Sequence, residues 1–251
     1  NLIMKTQNIQ LDGVKTRFFT EVDTPEKIIK FLERKNGIKK IFNSKKYSVT
    51  ELLKCPRETF YKKQKVPKEE TLDSSVGGMW CSVRGQFMHQ MTQAYTWNEL
   101  ECEHSVTLSD GSVSTIVGRL DMYDEKTKTV LDLKTTNDVL WKAKKEILIK
   151  SEHIKQLQIY YTMFSKIIPI ENLYLVYADM TDIVTYTIPV KDRSKWIVSR
   201  IEEIQSSIQN GLVPNGEVNE KCRFCKYQTK CSKTGSGLTR KPLSVPRKLD
   251  F

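Results

Sequence analysis

At 251 residues the chain can hold one sizeable core with terminal additions, and Lys+Arg outnumber Asp+Glu by 41 to 30, a formal charge of +11 that favours a polyanionic partner, with nucleic acid leading. A hydrophobic share of 39% beside 28% charged residues is ordinary for a soluble globular protein. No apolar run approaches ~18 residues and no charged-then-apolar start is present, so membrane spans are excluded and a cytoplasmic protein is expected. In such a reducing compartment, 6 cysteines point to metal or cluster chemistry rather than a disulfide framework.

Residues 1–46 are polar and basic and read as an N-terminal arm, with one helix starting at Thr24-Pro25-Glu26, where Thr24 is the N-cap and Pro25 the first helical residue. Basic residues cluster at Arg34, Lys35, Lys39, Lys40, Lys45 and Lys46, and again from Lys54 to Lys68. Ser48 and Glu51 have capping-box spacing ahead of Val49, Leu52, Leu53 and Phe60, in a helix that Pro56 interrupts, which puts Cys55 at the break. After Gly77-Gly78, a helix is expected over Arg84–Asn98, with Met88, Met91 and Tyr95 at helical spacing. From Glu103 the period becomes two. Segments His104–Leu108, Val113–Met122 and Thr129–Thr135, separated by turn residues, predict a three-stranded antiparallel meander. Asn137 is placed to cap a long helix running to about Phe164. Leu173–Ala178 and Ile183–Val190 form a further strand pair, and Ser194–Ile208 is an amphipathic helix. Beyond Gly211 follow a Pro/Gly/Asn loop, a cysteine cluster and a flexible basic tail over 235–251.

Asp132 and Lys134 stand two apart in the third meander strand and project from one face, opposite Leu131 and Leu133. If the hairpin closes symmetrically on Glu125–Lys128, Tyr123 pairs with Val130 and Asp121 with Asp132, with the carboxylates' Cβ atoms ~4.5 to ~5.5 Å apart. Two like charges there repel unless a cation lies between them, and a hard divalent ion such as Mg²⁺ or Mn²⁺ meets that need. Lys134 beside such an ion can orient or deprotonate a water and can steady charge developing on a phosphate. That arrangement suits phosphodiester hydrolysis.

The order of motifs adds to this. Gly85-x-x-x-His89 comes first, then Gly118-Arg119-Leu120-Asp121, Leu131-Asp132-Leu133-Lys134, and Gln156-Leu-Gln-Ile-Tyr160 on the following helix. The set resembles the RecB-like nucleases of the PD-(D/E)xK type, over roughly residues 47 to 232. The resemblance implies that His89, Asp121 and Asp132 are metal ligands, joined by the Leu133 carbonyl, and that Lys134 is the catalytic lysine. Gln156 and Tyr160, one turn apart, then orient the lysine and the bound strand.

Cys222-x-x-Cys225-x5-Cys231 supplies three thiols in a short loop, and Cys55 is the candidate for a fourth. One distant cysteine with three clustered ones resembles the layout of the iron-sulfur members of this nuclease family, so a [4Fe-4S] cluster is expected rather than zinc. Cys55-Pro56-Arg57 followed by Phe60-Tyr61 resembles the front of the CRISPR-associated RecB-like exonucleases, the fourth numbered Cas family. Cys81 and Cys102 fall outside the pattern and read as buried thiols or a disulfide.

An α/β fold follows: a RecB-like (restriction-endonuclease-like) core over residues 47–234, with a mixed central sheet, flanking helices, and N- and C-terminal parts joined by the cluster. The resemblance implies Mg²⁺- or Mn²⁺-dependent DNA cleavage, with exonuclease action on single-stranded ends during spacer acquisition and the spacer-integrating proteins as partners. A repair or viral nuclease of the same fold, and a non-catalytic DNA-binding or assembly subunit, remain as alternatives. Cleavage polarity and sequence preference are not written in these motifs.

Overall fold

The computed structural model describes residues 5–11, 14–20, 46–69, 76–92 and 97–233. The expected helix from Thr24, most of the first basic cluster and the basic tail lie outside the described residues. Within the expected arm, strands β1 (Lys5–Leu11) and β2 (Val14–Thr20) pair antiparallel as a two-stranded sheet of their own. The sequence reading left these strands out, although Asp12-Gly13 between them is a turn dipeptide.

The meander forms as expected, from β4 (Trp97–Thr107), β5 (Val113–Asp124) and β6 (Thr129–Thr135), because alternating apolar residues bury one side of each strand. Three more strands complete a mixed six-stranded sheet. Strand β3 (Lys46–Ser48) runs parallel to β5, β7 (Asn172–Ala178) parallel to β6, and β8 (Ile183–Ile188) antiparallel to β7. Strand β5 therefore has three neighbours and only two hydrogen-bonding edges. Along one edge β4 pairs from Thr107↔Val113 to Trp97↔Tyr123. The other edge is divided between β3, at Thr115–Val117, and β6, at Met122–Asp124. Gly118 to Asp121 fall in the gap, and the candidate site is built there.

The helices follow the apolar pattern with two corrections. Ser48 caps α1 (Val49–Leu52) in a complete capping box with Glu51, and α2 (Pro56–Lys63) restarts after Cys55, which occupies its N-cap position. The next helix, α3, spans Val76–Thr92 rather than Arg84–Asn98. Its first turn contains Gly77 and Gly78, where a missing Cβ costs less than in a helix interior, and the β period already begins at Trp97.

The single long helix expected from Asn137 to Phe164 is instead α4 (Val139–Lys144) and α5 (Ser151–Phe164). Asp138, not Asn137, precedes α4, with φ 56°. The break follows from Leu148, which is buried and pulls residues 145–150 out of helical register, while the Lys150 amide donates to the Tyr177 hydroxyl (3.2 Å). The last long helix, α6, is Ser194–Gln209. Of the C-terminal cysteines, Cys222 lies in a short 3₁₀ turn (Glu220–Phe224), Cys225 caps that turn and Cys231 lies in α7 (Gln228–Lys233).

The main core lies between the sheet and helices α1, α5 and α6, around Tyr47, Leu52, Ile116, Leu120, Leu157, Met163, Leu175 and Ile201. A smaller cluster of Met122, Leu133 and Ala178, with Met88 of α3 against it, holds α3 to the sheet beside the gap. Among the described residues no helix is long and apolar enough to cross a membrane.

Candidate active site

Both ladders of β5 lapse at Asp121. The β4 pairing passes over Glu99 and Asp121, and the β6 ladder ends at Met122↔Leu131. The expected register of Tyr123 with Val130 is present, but the next pair, Asp121 with Asp132, is not formed. Direct opposition of two carboxylates is unfavourable, and the strands part there. Asp121 Oδ2 accepts instead from the Leu133 amide (3.0 Å), reaching across the opening to hold β6. Its Oδ1 lies 3.6 Å from His89 Nδ1 on α3.

Asp132 is 1% exposed. Its Oδ2 pairs with Lys134 Nζ at 2.7 Å, while Oδ1 has no hydrogen-bond partner. Burial pushes its pKa up to about 6 and the Asp121 charge adds to the shift, against the pull of Lys134. An orphaned, buried carboxylate oxygen beside a second carboxylate fits a divalent cation with oxygen ligands. Of His89, Asp121 and Asp132, His89 and Asp121 are in contact, and the Asp121 charge acts on Asp132. Among the described residues no group of three or more His, Cys, Asp and Glu is gathered tightly enough to hold a metal ion.

Tyr160 and Gln156 lie on α5 against the gap. Gln156 Nε2 donates to Tyr160 Oη (2.9 Å), and burial pushes the Tyr160 pKa well up, with the Asp132 charge adding to it. A Cβ at Gly118 would stand 3.0 Å from Met163 Cε and 3.2 Å from Tyr160 Cε1, so the motif glycine is what lets α5 close on β5. Gly85 does the same for α3, where a Cβ would meet Thr135 Oγ1 at 3.3 Å. The glycines of both motifs are thus packing residues that set His89 and Tyr160 against the carboxylates.

A cleft of about 440 Å³ opens beside His89 and Lys134, lined also by Leu133, Thr135, Thr136, Lys142, Ile147, Leu148, Lys150, His153 and Tyr177. Sequence reasoning missed His153 and Tyr177 there, whose Nδ1 and hydroxyl are 2.8 Å apart. The Tyr177 hydroxyl accepts from the Lys150 amide and shares a hydrogen bond with His153 Nδ1. Burial, then the charge of Lys134, lowers the His153 pKa to about 4, so the ring is neutral at pH 7. The spacing of His153, Gln156 and Tyr160 on one helix face was the available signal.

The four cysteines of the expected cluster line a second cavity, of about 500 Å³. Donors point at three of the sulfurs: the Glu217 amide at Cys55 (3.2 Å), the Asn219 amide at Cys222 (3.5 Å) and the Arg57 guanidinium at Cys231 (3.3 Å). Such donors suit thiolates. Cys225 is pushed up to about 11 by burial, with Glu58, Cys55 and Cys222 adding, so its thiol stays protonated until a cation offsets the cost. Cys102 is buried as expected, whereas Cys81 is an exposed free thiol on α3, not a buried one. No disulfide joins them.

A family model described as the PD-(D/E)XK nuclease superfamily matches residues 78–232, from α3 through the last cysteines. The chain belongs to that superfamily. Its members are metal-dependent nucleases that use divalent ions such as Mg²⁺ or Mn²⁺, with DNA as substrate. Among solved structures, one titled "Crystal structure of SSO0001" aligns with the nuclease at TM-score 0.63 and 23% identity, covering 84% of this chain and 98% of that one, a likeness of fold. No curated protein matches the nuclease.

Proposed function

We propose that the protein is a Mg²⁺- or Mn²⁺-dependent DNA exonuclease acting on single-stranded ends, with residues 47–234 as the nuclease domain, and that Cys55, Cys222, Cys225 and Cys231 hold a [4Fe-4S] cluster. The observation that supports the nuclease site is the buried Asp132 oxygen without a partner where β5 and β6 part, with the charge of Asp121, held across the opening by the Leu133 amide, acting on it. His89, Asp121, Asp132 and the Leu133 carbonyl would hold the divalent ion. A bound Mg²⁺ or Mn²⁺ polarises the scissile phosphate and lowers the pKa of an attacking water.

The chain's own groups do the rest. Lys134, fixed by Asp132, places its ammonium where it can orient the water and offset charge on the phosphate. Gln156 and Tyr160, joined on α5, would help orient the lysine and the bound strand. The intact pair of Asp132 and Lys134 favours an enzyme over a non-catalytic DNA-binding subunit.

Four cysteines around one cavity, three of them facing N–H donors, support a cluster that fastens α2 to the C-terminal turn. Trimming of ends in CRISPR spacer acquisition, beside the spacer-integrating proteins, rests on the resemblance of Cys55-Pro56-Arg57 to the fourth Cas family. Cleavage assays with end-labelled linear and covalently closed circular single strands, in Mn²⁺ and in Ca²⁺, test the exonuclease reading. The linear strand should shorten from an end in Mn²⁺ while the circle survives, and Ca²⁺ should permit binding with little cleavage. Cutting of the circle would make the enzyme an endonuclease.

A further inference from the structure

Lys142, Ile147, Leu148 and Lys150, from the segment Val139 to Lys150, line the cleft that His89 and Lys134 also line. That segment carries four lysines (142, 144, 145 and 150) against one glutamate. Leu140, Trp141, Ile147 and Ile149 are large apolar side chains left exposed, Trp141 and Ile147 at 56% each. Cations interleaved with exposed apolar groups match a ligand that offers phosphates and flat apolar faces together.

The end of α4 is built to present Ile147. Helix α4 closes in a Schellman motif: the Ile147 amide donates to the Lys142 carbonyl (3.1 Å) and the Glu146 amide to the Ala143 carbonyl (3.0 Å). The left-handed position that this motif usually gives to glycine is held by Glu146, at φ 57°. In such motifs the residue after it frequently packs on an apolar side chain three or four places before the cap. Here those places hold Lys142 and Trp141, and Ile147 is left 56% exposed in the cleft. Backbone held in a sparsely populated region to expose an apolar side chain beside a reaction site is a mark of a ligand-contacting loop.

Resting on the nuclease reading above, we propose that residues 139–150 discriminate between strands, where Lys142 and Lys150 in the cleft lining take phosphates flanking the scissile one, Ile147 in that lining meets the faces of unpaired bases, and Trp141, exposed just outside it, extends the contact along the strand. Lys142 Nζ already rests on Thr136 Oγ1 (2.6 Å), which holds the ammonium over the cleft. A duplex hides its base faces in the stack, so this segment favours an unpaired strand over a paired end.

The stripe of Trp80, Phe87 and Met91 on α3 is also exposed, but it faces away from His89 on the same helix and nothing fixes what covers it.

The test measures affinity of the full chain for a 20-mer of oligo-dT and for a blunt duplex of equal length, in Ca²⁺, for wild type, Ile147→Ser, Trp141→Ala and the double variant. These side chains are exposed, so the variants should fold, and unchanged Tm confirms it. Loss of a base contact should weaken single-strand binding about fivefold or more per residue, while duplex binding changes less than twofold. In Mn²⁺ the same variants should raise KM on single strands with the rate at saturation held. Equal losses on both substrates, or unchanged single-strand affinity in the double variant, would overturn the proposal. Because the Ca²⁺ measurement needs no cleavage, it stays informative if the wild type proves inactive, an outcome that would sink the nuclease reading alone.

Discussion

Asp132 is 1% exposed, and its burial disfavours the ionised carboxylate. Its pKa stands at about 6 in the folded chain against an ordinary 3.8, so the native state binds the extra proton between those values. The stability this group contributes is fully present below 3.8 and is lost as pH rises through 6. A divalent cation reverses the balance by favouring the ionised form. At pH 5, below that raised pKa, protons should compete with the metal and weaken its affinity. The rise in Tm on adding Mn²⁺ should therefore be clearly smaller at pH 5 than at pH 8, and a rise independent of pH would separate Asp132 from the metal.

His153 has the opposite slope. Its pKa is lowered to about 4 from 6.5, so its contribution is lost as pH falls from 6.5 to 4, and it should stay neutral throughout the range in which the nuclease is assayed.

Strand β5 and helix α5 together decide whether the site closes. With Gly118 in place, Tyr160 and Met163 lie against the strand at contact distance. Gly118→Ala forces both to shift, with an expected loss of about 1–3 kcal/mol and a fall in the rate at saturation as Tyr160 leaves the carboxylates. Chemical denaturation and single-turnover cleavage would check it, and an unchanged pair of values would contradict the packing role.

Elements at this scale were largely legible, because periods of two and 3.6 report buried faces directly. The meander, the Tyr123↔Val130 register, the capping box at Ser48 and the Asp179–Asp182 turn between β7 and β8 all stand as read. The break between α4 and α5 was not legible, since Leu148 is drawn inward by tertiary packing while the surrounding Lys-rich segment has helical composition. The opening of β5 from β6 was also hidden. A two-residue period predicts a continuing ladder, but it stops where Asp121 would face Asp132. The site residues outside the motifs, His153 and Lys142, come from segments folded onto the cleft by that same break.

Across the whole molecule, Cys55 and Cys222 are brought to one cavity from opposite ends of the nuclease core, and Arg57 ties the two ends further through Pro214 and Cys231. If a cluster joins them, it is structural and lies apart from the cleft of His89 and Lys134. Protein purified without oxygen should be brown and carry about four irons, and Cys55→Ser should lower Tm and yield before it alters the metal-dependent chemistry. A colourless preparation with one zinc would replace the cluster and leave the nuclease site untouched.

The central claim is that Asp132 and Lys134 perform chemistry on a bound strand. Single-turnover cleavage of end-labelled linear single-stranded DNA in Mn²⁺, with Asp132→Ala and Lys134→Ala beside the wild type, tests it most directly. Both folded variants should lose cleavage while their DNA affinity stays within about tenfold, 1.4 kcal/mol, of the wild type. Wild-type rates in either variant would contradict the assignment.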